Sequence, residues 1–135
     1  MDNLYSLMRE FLMKRGINAR EEKAGSLSFS VNGLNFICDT TDTDPYFLRL
    51  QLPRINREDT QIDNLADDLQ QLNRSFKVSK IVKGADGSLW VIADIFVYST
   101  ENINSVFERL IKAMTDMIND YYNLEKEKGN GTVQA

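Results

Sequence analysis

The sequence predicts a two-layer α+β domain. Its element order is α-β-β-β-α-β-β-α, with a five-stranded antiparallel sheet that carries its helices mainly on one face. Three observations lead there. Apolar residues recur at helical spacing in three separate segments. Between those segments the hydrophobic period drops to two. The strands so marked are joined mainly by short turns, which favours antiparallel pairing. The chain has 135 residues, room for one ordinary domain, and it shows no internal repeat or linker. We therefore expect one domain over residues 1–128. Residues 129–135, beginning Gly129-Asn130-Gly131, read as a flexible tail.

The first helix is expected over 3–15. Leu4, Leu7, Met8, Phe11 and Leu12 share one face, Asp2 or Asn3 can cap the start, and Gly16 is a natural stop. Residues 18–25 are polar and read as a connector. In Ser26–Val31, Leu27, Phe29 and Val31 alternate with serines, the pattern of a half-buried strand. Asn32-Gly33 follows, a hairpin turn in which both residues tolerate positive φ, and the return strand is Leu34–Asp39. Residues 39–45 read as a loop, and a third strand runs from about Tyr46 to Leu52, ended by Pro53. A second helix over 60–73 places Ile62, Leu65, Ala66, Leu69 and Leu72 on its buried face. A fourth strand covers 76–83, Ala85-Asp86-Gly87 makes a turn, and the fifth strand is Leu89–Tyr98. The last helix, about 102–125, carries an inner stripe from Ile103 through Phe107, Met114 and Ile118 to Tyr121.

The fifth strand is apolar on both parities. Leu89, Val91, Ala93, Ile95 and Val97 form one, and Trp90, Ile92, Asp94, Phe96 and Tyr98 form the other. The third strand is similar, with Phe47, Arg49 and Gln51 opposite Tyr46, Leu48, Leu50 and Leu52. If the helices cover one face, then Ile37, Phe47, Trp90, Ile92, Phe96 and Tyr98 lie on the other. Exposed, they would form a patch of the size that marks an interface. The second helix or the tail could instead cover them. Arg49 and Asp94 fall in the middle of this parity, as a cross-strand ion pair or as a polar anchor for a partner.

Composition removes much chemistry. There is no histidine and one cysteine, which excludes the common zinc sites, His-based triads and an intramolecular disulfide. Cys38, inside a strand, reads as an inert core thiol. Asp39, Asp42 and Asp44 do not have the spacing of a calcium loop, and no phosphate-binding glycine motif occurs. No catalytic residue, cofactor site or metal site is expected. Sixteen Lys+Arg against twenty Asp+Glu give a net charge of -4. The nearest approach to a basic cluster is Arg74, Lys77, Lys80 and Lys83, too sparse to predict nucleic-acid binding. The N-terminus does not read as a signal peptide, no stretch is apolar enough to span a membrane, and a single thiol suits the reducing cytoplasm.

The order of elements resembles the type III secretion chaperone-like fold, which includes the secretion chaperones and the YbjN-type proteins. The resemblance covers about residues 3–125. It rests on the opening helix Leu4–Leu12, the Asn32-Gly33 turn, the mid-chain helix Ile62–Leu72, the Ala85-Asp86-Gly87 turn before Leu89-Trp90-Val91-Ile92, and the long final helix. It implies a fifth strand lying between the third and fourth, which would set Asp94 beside Arg49. It also implies first and last helices on one sheet face, homodimers, and binding of protein segments. The expected function is thus a non-catalytic, cytoplasmic, chaperone-like domain that binds a protein segment or itself through the apolar sheet face. The alternative is a small-ligand or sensory module with a pocket under Phe11, Phe107 and Met114.

Overall fold

The computed structural model describes residues 3–134, with side chains through 128. The chain folds into one antiparallel sheet of six strands in the order β1-β2-β3-β4-β6-β5, together with three α-helices. The strands are β1 (Ala19–Lys23), β2 (Ser26–Val31), β3 (Leu34–Thr41), β4 (Asp44–Leu52), β5 (Lys80–Lys83) and β6 (Leu89–Phe96). The helices are α1 (Leu4–Lys14), α2 (Ala66–Ser75) and α3 (Ile103–Gln134). The expected tail, 129–135, lies outside the residues whose side chains are described.

The sheet has six strands where five were expected. The extra one is β1, the segment read as a connector. Its residues, Ala-Arg-Glu-Glu-Lys, carry no apolar alternation, because it is an edge strand held through its backbone to β2, in the register Ala19↔Phe29 to Lys23↔Ser26. Gly25 makes the turn at φ +81, and its carbonyl accepts from Thr40 N at 2.8 Å and Thr40 Oγ1 at 2.9 Å. A Cβ on Gly25 would stand 3.1 Å from the Thr40 carbonyl oxygen, so the close approach itself favours glycine.

Asn32 at φ 52 and Gly33 at φ 81 form the β2–β3 turn, as their sequence implies. The expected loop 39–45 is instead a tight hairpin. Strand β3 continues to Thr41 and β4 begins at Asp44, whose carboxylate accepts from Tyr46 N at 3.0 Å. The strand expected over 76–83 shrinks to β5, because α2 runs on to Ser75 and Phe76 caps it, its N–H donating to the Leu72 carbonyl at 3.0 Å.

Helices α1 and α3 cover the inner face of the sheet. Asn3 caps α1, its side chain accepting from Ser6 N. Leu4, Met8, Phe11 and Leu12 pack into one core with Phe107, Leu110, Met114, Met117 and Ile118 of α3, and with Leu27, Phe36, Cys38, Leu48, Leu50, Val91 and Ala93 of the sheet. The Phe11 and Phe107 rings meet edge to face at 5.3 Å. Each such buried side chain stabilises by roughly 1.5–3 kcal/mol.

The mid-chain helix differs from expectation. Ile62–Leu65 is a 3-10 turn, only Leu65 of the expected buried face is fully buried, Ala66 is exposed, and α2 itself has no fully buried residue. It sits at the β5 end of the sheet and beside α3. There Asn73 acts as a substitute strand neighbour: its Oδ1 accepts from Ile81 N at 2.7 Å and its Nδ2 donates to Ile81 O at 3.0 Å. The helix thereby closes the β5 edge, which would otherwise offer unpaired backbone groups. It does not cover the outer sheet face.

Glu125 on α3 holds the 53–61 loop in place. Its carboxylate accepts from Arg57 N at 3.1 Å, Thr60 Oγ1 at 2.8 Å and Tyr121 Oη at 2.7 Å. Burial, reinforced by the hydrogen bond to Glu125, raises the Tyr121 pKa well above its ordinary value.

Candidate functional site: the open face of the sheet

Strand alternation places the outward side chains in rows across the sheet. One row is Arg20–Ser28–Ile37–Gln51–Ile92–Lys80, and the next is Lys23–Ser26–Asp39–Arg49–Asp94. The row after that, at one end of the sheet, is Phe47↔Phe96. Trp90 lies on the other side, paired with Val82. The inward side chains of the same strands fill the core, so these rows form the face that α1 and α3 leave open.

The six expected residues do lie on that face, but they do not make one patch. Ile37, Ile92 and Trp90 are half-buried in the middle; Phe47, Phe96 and Tyr98 stand at the end. The charged row separates the two groups. Within it, Arg49 holds Asp94 through two parallel hydrogen bonds, Nε to Oδ1 at 2.6 Å and Nη2 to Oδ2 at 2.8 Å. The hydrogen bonds to Asp94 raise the Arg49 pKa further above its ordinary value. Asp39 accepts from Ser26 Oγ at 2.7 Å and from Gln51 Nε2. The cross-strand pair is therefore in the geometry that the strand order implied, and it doubles as the divider of the surface.

The middle group borders a wide trough of about 1120 Å³ whose lining includes Arg20, Ser28, Asn35, Ile37, Gln51 and Trp90. Trp90 is held at its edge and over its face: Nε1 donates to Ser88 Oγ at 3.0 Å, and the Arg54 guanidinium lies over the ring, 5.6 Å from its centroid. A Cβ on Gly84 would stand 2.7 Å from Trp90 Nε1, so glycine there leaves room for the indole.

The end group is a continuous chain of four rings. Phe47 and Phe96 meet at 5.8 Å, Phe96 and Tyr98 at 6.2 Å, and Tyr98 and Tyr46 at 5.1 Å between centroids. Phe96 is 59% exposed, Tyr98 71% and Tyr46 41%. Strand parity alone puts Tyr46 on the inner face. It belongs to the cluster because the Leu48 parity runs out at the sheet end, where the last backbone bond is Val97 N to Tyr46 O at 2.7 Å. The residue after Pro45 in a hairpin arm was the available signal.

Cys38 offers no nucleophile: burial, with a smaller contribution from Asp39, pushes its thiol up to about 12. No group of three or more Asp, Glu or Cys side chains gathers as a metal site among the described residues. The space under Phe11, Phe107 and Met114 is filled by those side chains, all buried. No helix among the described residues is long and apolar enough to cross a membrane.

Comparison with known proteins adds a likeness of fold. No family model and no curated protein matches the sequence. Among solved structures, the chain is similar to YbjN from E. coli, described as a candidate transcription regulator, with a TM-score of 0.65 and 17% identity over 87% of this chain and 90% of that one. The chain shares the YbjN fold. At that identity the likeness is one of architecture, and it agrees with the strand order β4-β6-β5 that the resemblance implied.

Proposed function

We propose that this chain is a non-catalytic, chaperone-like protein-interaction domain that works in the cytoplasm and docks its partner on the open face of the sheet. The observation that carries this reading is the chain of four contiguous rings, Phe47, Phe96, Tyr98 and Tyr46, exposed on a face that the helices leave open. Three of these rings are exposed by two-fifths or more, and a contiguous apolar patch of that kind is costly in water unless it is covered in use. Aromatic side chains also dominate the energetics of interfaces. Two occupants meet the description, a segment of another protein or a second copy in a homodimer.

YbjN is described as a candidate regulator. A regulator that acts by holding a protein is compatible with this surface. Direct duplex binding fits poorly with a net charge of -4. Lys80, one of the four clustered cations, is already engaged by the carbonyls of Asn73 and Phe76 at the end of α2.

The test is the paired substitution Phe96→Asp and Tyr98→Asp, with Trp90→Ala as a second site on the same face. Circular dichroism should show an intact fold, while association, read by sedimentation velocity and by capture from the source cells, is lost. Identical sedimentation and capture profiles for wild type and variants would overturn the reading.

A further inference from the structure

Charge around the aromatic cluster selects between the two occupants. The segments that carry its rings are 40–48 and 94–102. Apart from Asp94, which is neutralised by its pair with Arg49, they contain Asp42, Asp44 and Glu101 and not one lysine or arginine. The nearest cation in the rows is Arg49, and its charge is paired with Asp94 through Nε and Nη2. The rings thus stand on segments whose uncompensated charge is negative, and the Phe96 and Tyr98 rings lie nearly parallel, 18° apart. Ring faces carry negative quadrupole potential and attract ammonium and guanidinium groups.

A second copy docked isologously would bring the same carboxylates against each other. A partner bearing lysine or arginine would meet them with opposite charge. We infer that the occupant of this end of the sheet is a basic, apolar segment of another protein, with Arg or Lys side chains laid over Phe96 and Tyr98 and apolar residues seated between them and Phe47. This rests on the interaction reading given above and names the chemistry of the partner.

The probe is an acetylated hexapeptide of alternating Arg and Leu, compared with its Glu-Leu counterpart by fluorescence anisotropy against the full chain. The expected result is binding of the basic peptide only. It should weaken by roughly a hundredfold or more in Phe96→Ala/Tyr98→Ala, which leaves the charge untouched, as loss of two cation–π contacts and their apolar area implies. It should also weaken in Asp42→Asn/Asp44→Asn. In that variant the side chain at 44 keeps an oxygen able to accept from Tyr46 N. Asp116→Asn on α3 should leave binding unchanged.

Basic-peptide binding that survives loss of the rings would mean general attraction to an acidic chain and would overturn the inference. Equal binding of both peptides, lost with the rings, would overturn the basic character and leave the interaction surface standing. A homodimer dispersed by Tyr98→Asp would assign the site to a second copy and overturn it likewise. Failure of both peptides to bind would overturn it too, while the self-association and capture readouts judge the broader reading separately.

Discussion

Replacing Phe96 by alanine separates what this side chain does for the fold from what it does for association. A phenylalanine side chain presents about 200 Å² when fully exposed. Phe96 retains 59% of its exposure in the free chain. About 80 Å² is thus already covered by Phe47, Tyr98 and the sheet, and about 120 Å² is open to a partner. At about 25 cal/mol per Å², truncation should cost the fold at most about 2 kcal/mol and cost a complex that covers the ring about 3 kcal/mol. The second figure is roughly a hundredfold in affinity. Phe36→Ala, at a fully buried ring on the inner face, should instead cost the fold about 3–5 kcal/mol. Urea unfolding followed by circular dichroism gives the first quantity. Titration with the basic hexapeptide and sedimentation of the chain give the second. If Phe96→Ala destabilised as strongly as Phe36→Ala, or left every association readout unchanged, the assignment of this ring to an interface would be refuted.

Cys38 should be inert to a disulfide reagent at pH 8 in the native chain and react at once in urea; prompt native labelling would contradict its burial. Burial raises its pKa from the ordinary thiol value of 9.0 to about 12 in the fold, so the unfolded chain loses this proton first. Stability should therefore be unaffected by this group below pH 9 and fall between about pH 9 and 12, by about 1.4 kcal/mol per pH unit from this thiol alone. Tyr121 and Tyr122, raised mainly by burial, add to the fall above their ordinary range, and a flat alkaline limb in urea midpoints would count against the sign. Glu125→Ala leaves the Arg57 N–H, Thr60 and Tyr121 donors without their acceptor and should cost about 3–5 kcal/mol, with Glu125→Gln recovering part of it. Arg49→Ala removes a pair whose side chains are both 41% exposed, so its stability cost should stay below about 1 kcal/mol in the same assay.

The elements whose burial is one-sided were legible in the sequence. Leu4, Met8, Phe11 and Leu12 read as a helix face and are buried as one. Asn32-Gly33 read as a hairpin turn and has positive φ at both residues. The facing positions of Arg49 and Asp94 followed from the strand order that the resemblance implied. Strand β1 was illegible because an edge strand of charged residues pairs through its backbone and leaves no apolar period. The place of α2 was illegible because its half-buried Leu69 and Leu72 resemble a core face, while Asn73 fixes the helix to the sheet edge by hydrogen bonds that no periodicity reveals.

The candidate surface shows the same division. Its six apolar members could be named by parity alone. The charged row through Asp39, Arg49 and Asp94 that divides them depends on register across three strands. Tyr46 joins the cluster only because the sheet ends there.

The most direct test of the open face as an interface is hydroxyl-radical footprinting of the chain, alone and in extract of its source cells. Tyr46, Phe96 and Tyr98 should be oxidised readily in the isolated chain and protected together in extract. Met13, 69% exposed on α1, should be oxidised equally in both. Unchanged labelling of the three rings, or protection of Met13 in their place, would contradict the account.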